Sequence, residues 1–547
     1  MNIKKNLTIL VLLSVFIITS CTDDLNTEPE IEQTLGAALE EDPDAIKGLL
    51  AKLYGGLVLH GIGALEGDDQ LTDIIGDDAG STVYLRSLWN LQEMTSDLVK
   101  NRWGDDGLDP LTTTSGWVST NKFLGYMYNR IYFQVGQINN FMLETEGLDF
   151  EQKEIIRAEA RFLRALAYYH GMDLFGGIPL VTEADGIGGA LKEKSTRAEV
   201  FTFVENELLA IKETIPASNE YGRANKATIN MVLAKIYLNA EVYTGTSQYD
   251  KALSLSEEVI NDSNFSLDDN YQSVFQGDNF TSPEIIFPLI GDRNNVQSFG
   301  NTTYLVNGSY NTETMNVKAD PNDDDSPLLY SIADLGAQNG WAGHRCTKAL
   351  YGLFGTLNDN SFDTGVDESD ENNDKRAIFF TAGHSFEMGD YREWNNGYPT
   401  TKFRNSYAEG TAPVMNASDI DFPMFRLADA YLMYAEAHLN NGGGNRATAL
   451  NLINELRRRA YGDDSGNISD AELTLDFIID ERARELYYEG HRRQDLIRFK
   501  RFTGGAYIWP WKGGTAEGTA IPANYNLFPI PLEALQANPN LKQNPGF

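Results

Sequence analysis

The sequence predicts a mainly α protein in which helix pairs stack into a superhelical scaffold that carries one long, loop-rich insertion. Two stretches predict the scaffold. Residues 425–460, FRLADAYLMYAEAHLNNGGGNRATALNLINELRRRA, set Ala428, Tyr431, Leu432, Ala435 and Leu439 on one helical face, and Asn440 to Gly444 then stop the helix. A second helix follows through Ala449, Leu452, Ile453, Leu456 and Ala460, with small side chains where two backbones must approach. Residues 225–260 repeat the pattern with Ile229, Val232, Leu233, Ile236, Tyr237 and Ala240, a break at Gly245, and a return helix through Ala252, Leu255 and Val259. A third observation predicts the insertion: residues 261–416 lose the helical period and become rich in Asn, Asp, Gly, Ser and aromatics.

A helix pair of about 34 residues that cannot bury its apolar face alone resembles a tetratricopeptide unit, which stacks on neighbours of its own kind. An ordinary antiparallel helix pair fits the same pattern, so the tetratricopeptide-like reading rests on the repetition.

From the N-terminus, Lys4 and Lys5 precede an apolar run from Leu7 to Ile18, too short for the roughly 20 residues of a membrane-spanning helix and suited to a signal-peptide core. The run ends in Ile18-Thr19-Ser20-Cys21, which resembles a bacterial lipoprotein box. Residues 1–20 are therefore expected to be removed and Cys21 to carry a diacylglycerol, whose two chains suffice for stable anchoring. Thr22, Asp23 and Asp24 resemble the acidic signal that sends some lipoproteins to the outer surface of the outer membrane. Residues 21–32 then form a polar tether, and 33–547 a single globular unit. The remaining cysteine, Cys346, has no partner once Cys21 is lipidated, so helix packing and not a disulfide must stabilise the chain.

A short amphipathic helix is expected over 44–59, through Ile46, Leu49, Leu50 and Leu53. Residues 68–117 mix acids, Gly and Thr with Tyr84, Trp89, Trp103 and Trp117 and read as long loops with exposed aromatics. Helix returns over 126–143 and 151–175, ended by Gly176, Gly177 and Pro179. Thr196 and Glu199 form a capping box that opens the next helix. Within the insertion, short strands are expected at 284–289 and 303–306, and solvated loops at the acid clusters 323–325 and 367–374. No organic cofactor is expected. A structural Ca²⁺ site is the alternative for an Asp cluster, although the D-x-D-x-D-G spacing is absent. Over 477–502 an apolar stripe is interrupted by Asp480 with Arg484, Glu489 with Arg492 and Arg493, and Asp495 with Arg498, which read as structural ion pairs.

Charge limits the function. With 79 acidic against 44 basic residues the formal charge is -35, which opposes approach to phosphate backbones and disfavours nucleic acid as a partner. An aromatic content of 11% suits neutral ligands that stack on rings.

Several segments, in the right order, then carry a resemblance: EARFLRALAYYHGMDLFGGIPLV (159–181), NKATINMVLAKIYLNA, FRLADAYLMYAEAHLN, ERARELYYEGHRRQDLIRF and the tail LFPIPLEALQANPNLKQNPGF. They resemble the SusD (RagB/SusD) family of surface glycan-binding lipoproteins. The resemblance implies a helical scaffold, a loop-rich glycan-binding face, and a SusC-like TonB-dependent outer-membrane transporter that the lipoprotein covers as a lid. GRANKATINMVLAKIYLNAEVYTGTSQYDKA, NTTYLVNGS and YIWPWKGGTAEGTA are most similar to the starch-binding pattern of the family. By that likeness Trp103, Tyr304 and Trp341 fall on the aromatic arc that cradles an α-glucan, Arg86 on a sugar-binding arginine, and Asp106 where the pattern has an Asn. The pattern also has a second Trp where this chain has Asn101, so dextran, laminarin and fructan stay open as ligands. The residue types agree with this: sugars offer C–H faces to aromatic rings and hydroxyl rims to Asn, Asp or Arg. Two further classes remain open at this stage. A glycoside hydrolase would need two carboxylates about 5 to 9.5 Å apart across a cleft. A peptide-binding scaffold would need an open concave groove, which the insertion is expected to cover.

Overall fold

A computed structural model describes residues 45–62, 71–186, 188–355, 373–408 and 414–547, together with Leu39 and Asp42. The signal sequence, Cys21, the tether and most of the 367–374 cluster lie outside the described residues. Helices dominate, and strands are few and short.

The scaffold is a row of neighbouring helices. Lys122–Glu144 packs on Lys153–Phe175, which packs on Arg197–Ile211, and Lys226–Leu238 packs on Tyr249–Ile260. Tyr249–Ile260 also packs on Leu427–Leu439, which in turn touches Arg446–Tyr461 and Leu475–Leu486. The two expected hairpins are thus adjacent units, and Ala428, Ala435, Ala449 and Ala252 are fully buried where the helices approach. The turn chemistry follows the sequence. Thr196 caps its helix by accepting from the Glu199 N–H, and Gly245 closes another in the left-handed region at φ 81°. A Cβ on Gly442 would stand 2.6 Å from the Tyr249 carbonyl oxygen, so this glycine lets one hairpin's turn rest on the neighbouring pair.

The insertion is fastened at its base, where strand Ile285–Leu289 pairs antiparallel with Phe422–Arg426 immediately before the helix that starts at Leu427. One hydrophobic cluster runs from Leu39 to Ile530 and includes Tyr304, Phe379 and Phe403 of the insertion. Buried ion pairs join the insertion to the C-terminal helices: Arg376 reaches Glu481 and Glu485, each at 2.9 Å, and Lys402 reaches Glu489 at 2.6 Å. The insertion therefore lies against the scaffold.

Four expectations need correction. Residues 68–117 are not long loops. They hold helix Tyr84–Trp89, a π-turn at Asn90–Met94 and helix Leu108–Thr112, with Tyr84, Trp89 and Trp117 buried. Val83, Leu85, Leu88, Leu91 and Met94 are buried as well, with Arg86 and Ser87, and a short helix buried on all sides shows no amphipathic period. Residues 303–306 are not a strand but part of helix Thr302–Ser309, which the Asn301 side chain caps by accepting from Thr303 N–H. The β-branched run Thr302-Thr303-Tyr304-Leu305-Val306 misleads because burial on every side overrides propensity. Asp374 is not solvated: it is 1% exposed and paired with Arg376 at 2.7 Å. Residues 323–325 are exposed as expected. Among the described residues no group of three or more His, Cys, Asp or Glu side chains is placed to hold a metal ion.

The last correction concerns 477–502. Helix Leu475–Leu486 ends, Tyr488 and Gly490 take positive φ, and a second helix runs over Arg492–Arg498. Asp495 does pair with Arg498 at 2.8 Å. Arg484 pairs instead with Glu481, Glu489 with Arg426 and Lys402, and Arg492 with Asp97. The break after Leu486 turns Glu489 and Arg492 toward distant segments, while Asp495 and Arg498, within the second helix, keep their i+3 pair.

Candidate functional site

A three-residue ladder brings two distant tryptophans together. Strand Val99–Asn101 pairs antiparallel with His344–Cys346, with Asn101 opposite His344, and Arg102 N–H continues the ladder to Gly343 O at 3.1 Å. Two residues beyond Asn101 in one strand and three before His344 in the other stand Trp103 and Trp341, which that register makes neighbours. Their ring centroids are 6.3 Å apart at 53°, and Trp103 Nε1 donates to the Trp341 carbonyl at 3.0 Å. A Cβ on Gly343 would fall 2.5 Å from the Trp103 ring, so glycine there allows the indole to lie against the strand.

Helix Thr302–Ser309 forms the backing. The N–H groups of Trp341, Ala342 and Gly343 donate to the carbonyls of Asn307, Tyr310 and Gly308 at 2.6 to 2.8 Å, which fixes the Trp341 edge on that helix. Tyr304 lies behind the pair, 6.0 Å from Trp103 and 4.7 Å from His344, and its hydroxyl donates to Asn90 Oδ1 at 2.7 Å. Burial above all raises its phenol pKa, and the charge of Asp105 adds to that effect. Arg86 stacks over Tyr304, its guanidinium carbon 4.3 Å from the ring centroid, and pairs with Asp78 at 2.9 Å. Burial works against the charged form of Asp78, but Arg86, the Ser81 hydroxyl and the Gly80 N–H outweigh it and hold this carboxyl below its usual range. Phe299 extends the aromatic row on the far side of Trp341, at 5.4 Å and 76°.

The structure therefore gathers Arg86, Trp103, Tyr304 and Trp341 from three segments. It places them differently from one another. Trp103 and Trp341 are half-buried and can offer a ring face, whereas Tyr304 is 1% exposed and on a helix, so it supports the arc and does not line it. Asp106 is exposed on the loop that follows Trp103. Sequence reasoning missed Phe299, Asp78, Asp105 and His344. A half-exposed Phe on a polar loop was a visible signal for Phe299; the other three have none beyond residue type. A cavity of about 640 Å³ opens elsewhere, lined by Lys52, Gln134, Gln137, Asn295 and Gln297 beside helix Ala45–Gly55, and neither tryptophan is in its wall. The two indoles form a ledge, with Arg86 buried beneath it on Tyr304 and 8% exposed, and the half-exposed Asp78 paired to that arginine. A ledge of two indoles with the exposed acids Asp105 and Asp106 on the adjoining loop can bind a neutral, extended, hydroxyl-rich chain.

A family model described as "SusD family" matches residues 387–547, and one described as "Starch-binding associating with outer membrane" matches residues 69–238. The chain is 32% identical to starch-binding protein SusD of Bacteroides thetaiotaomicron, across 97% of this chain and 96% of that one. It belongs to the SusD family. Other SusD-family relatives include SusD-like protein P25 of Formosa agariphila, 26% identical over 76% of this chain and 77% of that one. The fold agrees with solved SusD-superfamily structures. One from Parabacteroides distasonis has a TM-score of 0.68 at 20% identity, covering 92% of this chain and 99% of that one. A surface glycan-binding protein A from Bacteroides thetaiotaomicron, solved with laminarihexaose, has a TM-score of 0.63 at 18% identity over 92% of this chain and 99% of that one. The RQDLIRF segment (493–499), within one of the stretches that carry the resemblance, has a structural role. Asp495 and Arg498 bond each other, and they bond Arg482 and Glu436 at 2.8 and 2.5 Å in a buried network.

Proposed function

We propose that this SusD-family chain is a non-catalytic glycan-binding lipoprotein of the outer-membrane surface. It captures α-glucan chains on the Trp103–Trp341 ledge and delivers them to a SusC-like TonB-dependent transporter, anchored through Cys21. The observation that carries the reading is the convergence of the two half-buried indoles, Trp103 and Trp341, from segments more than 200 residues apart in the sequence, with Tyr304 and Arg86 buried behind them. The 32% identical relative is named for starch binding, and the family model over 69–238 is named for association with the outer membrane. Among the described residues no helix is long and apolar enough to cross a membrane. The lipid anchor at Cys21 is the attachment this reading adds, on the strength of the lipoprotein-box sequence alone. The carboxylate paired with Arg86 is held ionised and serves as an acceptor, not as a proton donor for glycoside cleavage.

A second reading keeps the role and changes the polysaccharide. It is favoured by Asn101, which replaces the second Trp of the family's starch-binding pattern, and by the laminarihexaose bound to one fold neighbour. Affinity electrophoresis through starch, dextran, laminarin and a fructan separates the two. The proposal expects retardation by starch and no new reducing ends on prolonged incubation. Retardation by laminarin or fructan alone would move the assignment to that glycan, and reducing ends released at an enzymatic rate would remove the binding-only role.

A further inference from the structure

A third half-buried tryptophan lies outside the ledge described above, on the segment between Arg498 and Ala523. Trp511 adopts φ 68° and ψ 5°, a left-handed conformation that a bulky residue keeps only where its surroundings enforce it. The surroundings do so here. Its N–H donates to Ala516 O at 3.3 Å, its indole N–H donates to Met388 O at 3.0 Å, and Gly513 and Gly514 complete the turn with positive φ. Tyr391 packs against it at 4.8 Å and 73°, an edge contact that covers at most one indole face.

Polar groups adjoin its neighbour Tyr391. Arg392 stacks on Tyr391 and pairs with Asp109, and their side chains are 48% and 37% exposed. These groups connect to the ledge. Gly104, the residue after Trp103, lies against the Arg392 guanidinium, 3.7 Å from where its Cβ would stand. Arg345, on the strand that carries the Trp341 edge, donates to Gly343 O at 2.7 Å and to the carbonyls of Tyr391 and Glu393. Gly514 N–H donates to Thr113 O, which fixes the Trp511 turn against the segment that follows the Trp103 loop. One strand pair and one loop thus position both aromatic groups.

We infer that Trp511, with Arg392 and Asp109 beside its neighbour Tyr391, is a second sugar-stacking subsite, so that a single glycan chain runs from Trp341 and Trp103 across Gly104 to Trp511. The subsite rests on the glucan-binding reading and adds a requirement for chain length. A short oligosaccharide occupies only the ledge; a longer one gains a second ring and two further hydrogen-bonding side chains.

Calorimetric titration with maltotriose and maltoheptaose tests it on the wild-type chain, Trp511→Gly, Arg392→Ala and Trp103→Ala. Glycine suits the left-handed backbone at 511, and Arg392 is a surface side chain, so both variants keep the fold, which melting temperature checks. Trp511→Gly should weaken maltoheptaose about tenfold, by analogy with stacking of bases on aromatic side chains. It should leave maltotriose within about twofold, and Arg392→Ala should show the same length selectivity to a smaller degree. Unchanged maltoheptaose affinity in Trp511→Gly and Arg392→Ala, with binding lost in Trp103→Ala, would overturn the subsite and leave the ledge standing. Equal loss for both lengths in Trp511→Gly would also overturn it, by making Trp511 a support for the ledge. No binding of either sugar by the wild-type chain would overturn the ledge reading and the subsite together.

Discussion

Asn101 is fully buried at the end of its strand, where its amide donates to His344 Nδ1 at 3.0 Å and its carbonyl accepts the Trp103 N–H at 2.7 Å. Residue type alone marked Trp103 and Trp341 as rings on polar segments, and that much was legible. Their adjacency was not, because it depends on a ladder too short to leave a period-two pattern. Tyr304 shows the converse: likeness of position put it on the arc, while its burial makes it a support. Another buried side chain was invisible in the sequence. Glu93, in the π-turn, accepts the N–H groups of Gly490 and His491 at 2.7 and 3.1 Å, and its other oxygen is buried without a partner. Burial pushes its pKa from 4.5 up to about 7, against the pull of those N–H groups and of the Lys402 and Arg492 charges. The folded chain then holds this proton where the unfolded chain has released it. The contribution is complete below about 4.5 and is lost as pH rises through about 7. Glu93→Gln keeps an acceptor and cannot ionise, so its melting temperature should gain on wild type as pH rises across that window. A difference between the two that does not change with pH would show that Glu93 is ionised throughout.

Among the elements, the helix pairs were legible because each helix runs 12 to 16 residues, long enough to repeat the helical spacing, and Gly or Asn stops close the turns. Leu427–Leu439 with Arg446–Tyr461, and Lys226–Leu238 with Tyr249–Ile260, form where the periodicity placed them. Helices Tyr84–Trp89 and Thr302–Ser309 were not legible, since 6 and 8 residues, buried throughout, are too few to show a period. The charged stretch after Leu475 was legible as structural but not in its pairing. Its carboxylates meet arginines from elsewhere: Arg426 reaches Glu284 and Glu485 at 2.7 Å and Glu489 at 2.6 Å, with all four side chains about 1% exposed or less. Burial opposes the charge on Glu481, yet Arg376, Arg484 and Arg457 hold its pKa down to about 2, so its stabilising share is lost only as pH falls from 4.5 toward 2. Removing one partner from such a network leaves buried charges uncompensated. Arg426→Ala should therefore lower the unfolding free energy by about 3–5 kcal/mol in a denaturant titration. A loss under about 1 kcal/mol would mean that the network is hydrated and behaves like a set of surface pairs.

At the scale of the whole molecule, the helical row is a rigid base and the insertion is held to it by the Ile285–Leu289 and Phe422–Arg426 strands and by ion pairs from Arg376 and Lys402. Both indoles of the ledge lie on segments tied to that base through His344–Cys346 and Thr302–Ser309, so the ligand meets a preformed surface. A net charge of -35 opposes anionic ligands, and the aromatic ledge suits neutral ones. The claim that joins these observations is that a glycan is bound by the two indoles. Measuring α-glucan affinity for Trp103→Ala/Trp341→Ala beside the wild-type chain, with melting temperature as the control, tests it directly. Each stacking ring is worth on the order of 1–3 kcal/mol, so the double variant should lose at least about thirtyfold in affinity while melting as the wild type does. Undiminished glucan binding by that variant, with its melting temperature unchanged, would contradict the account.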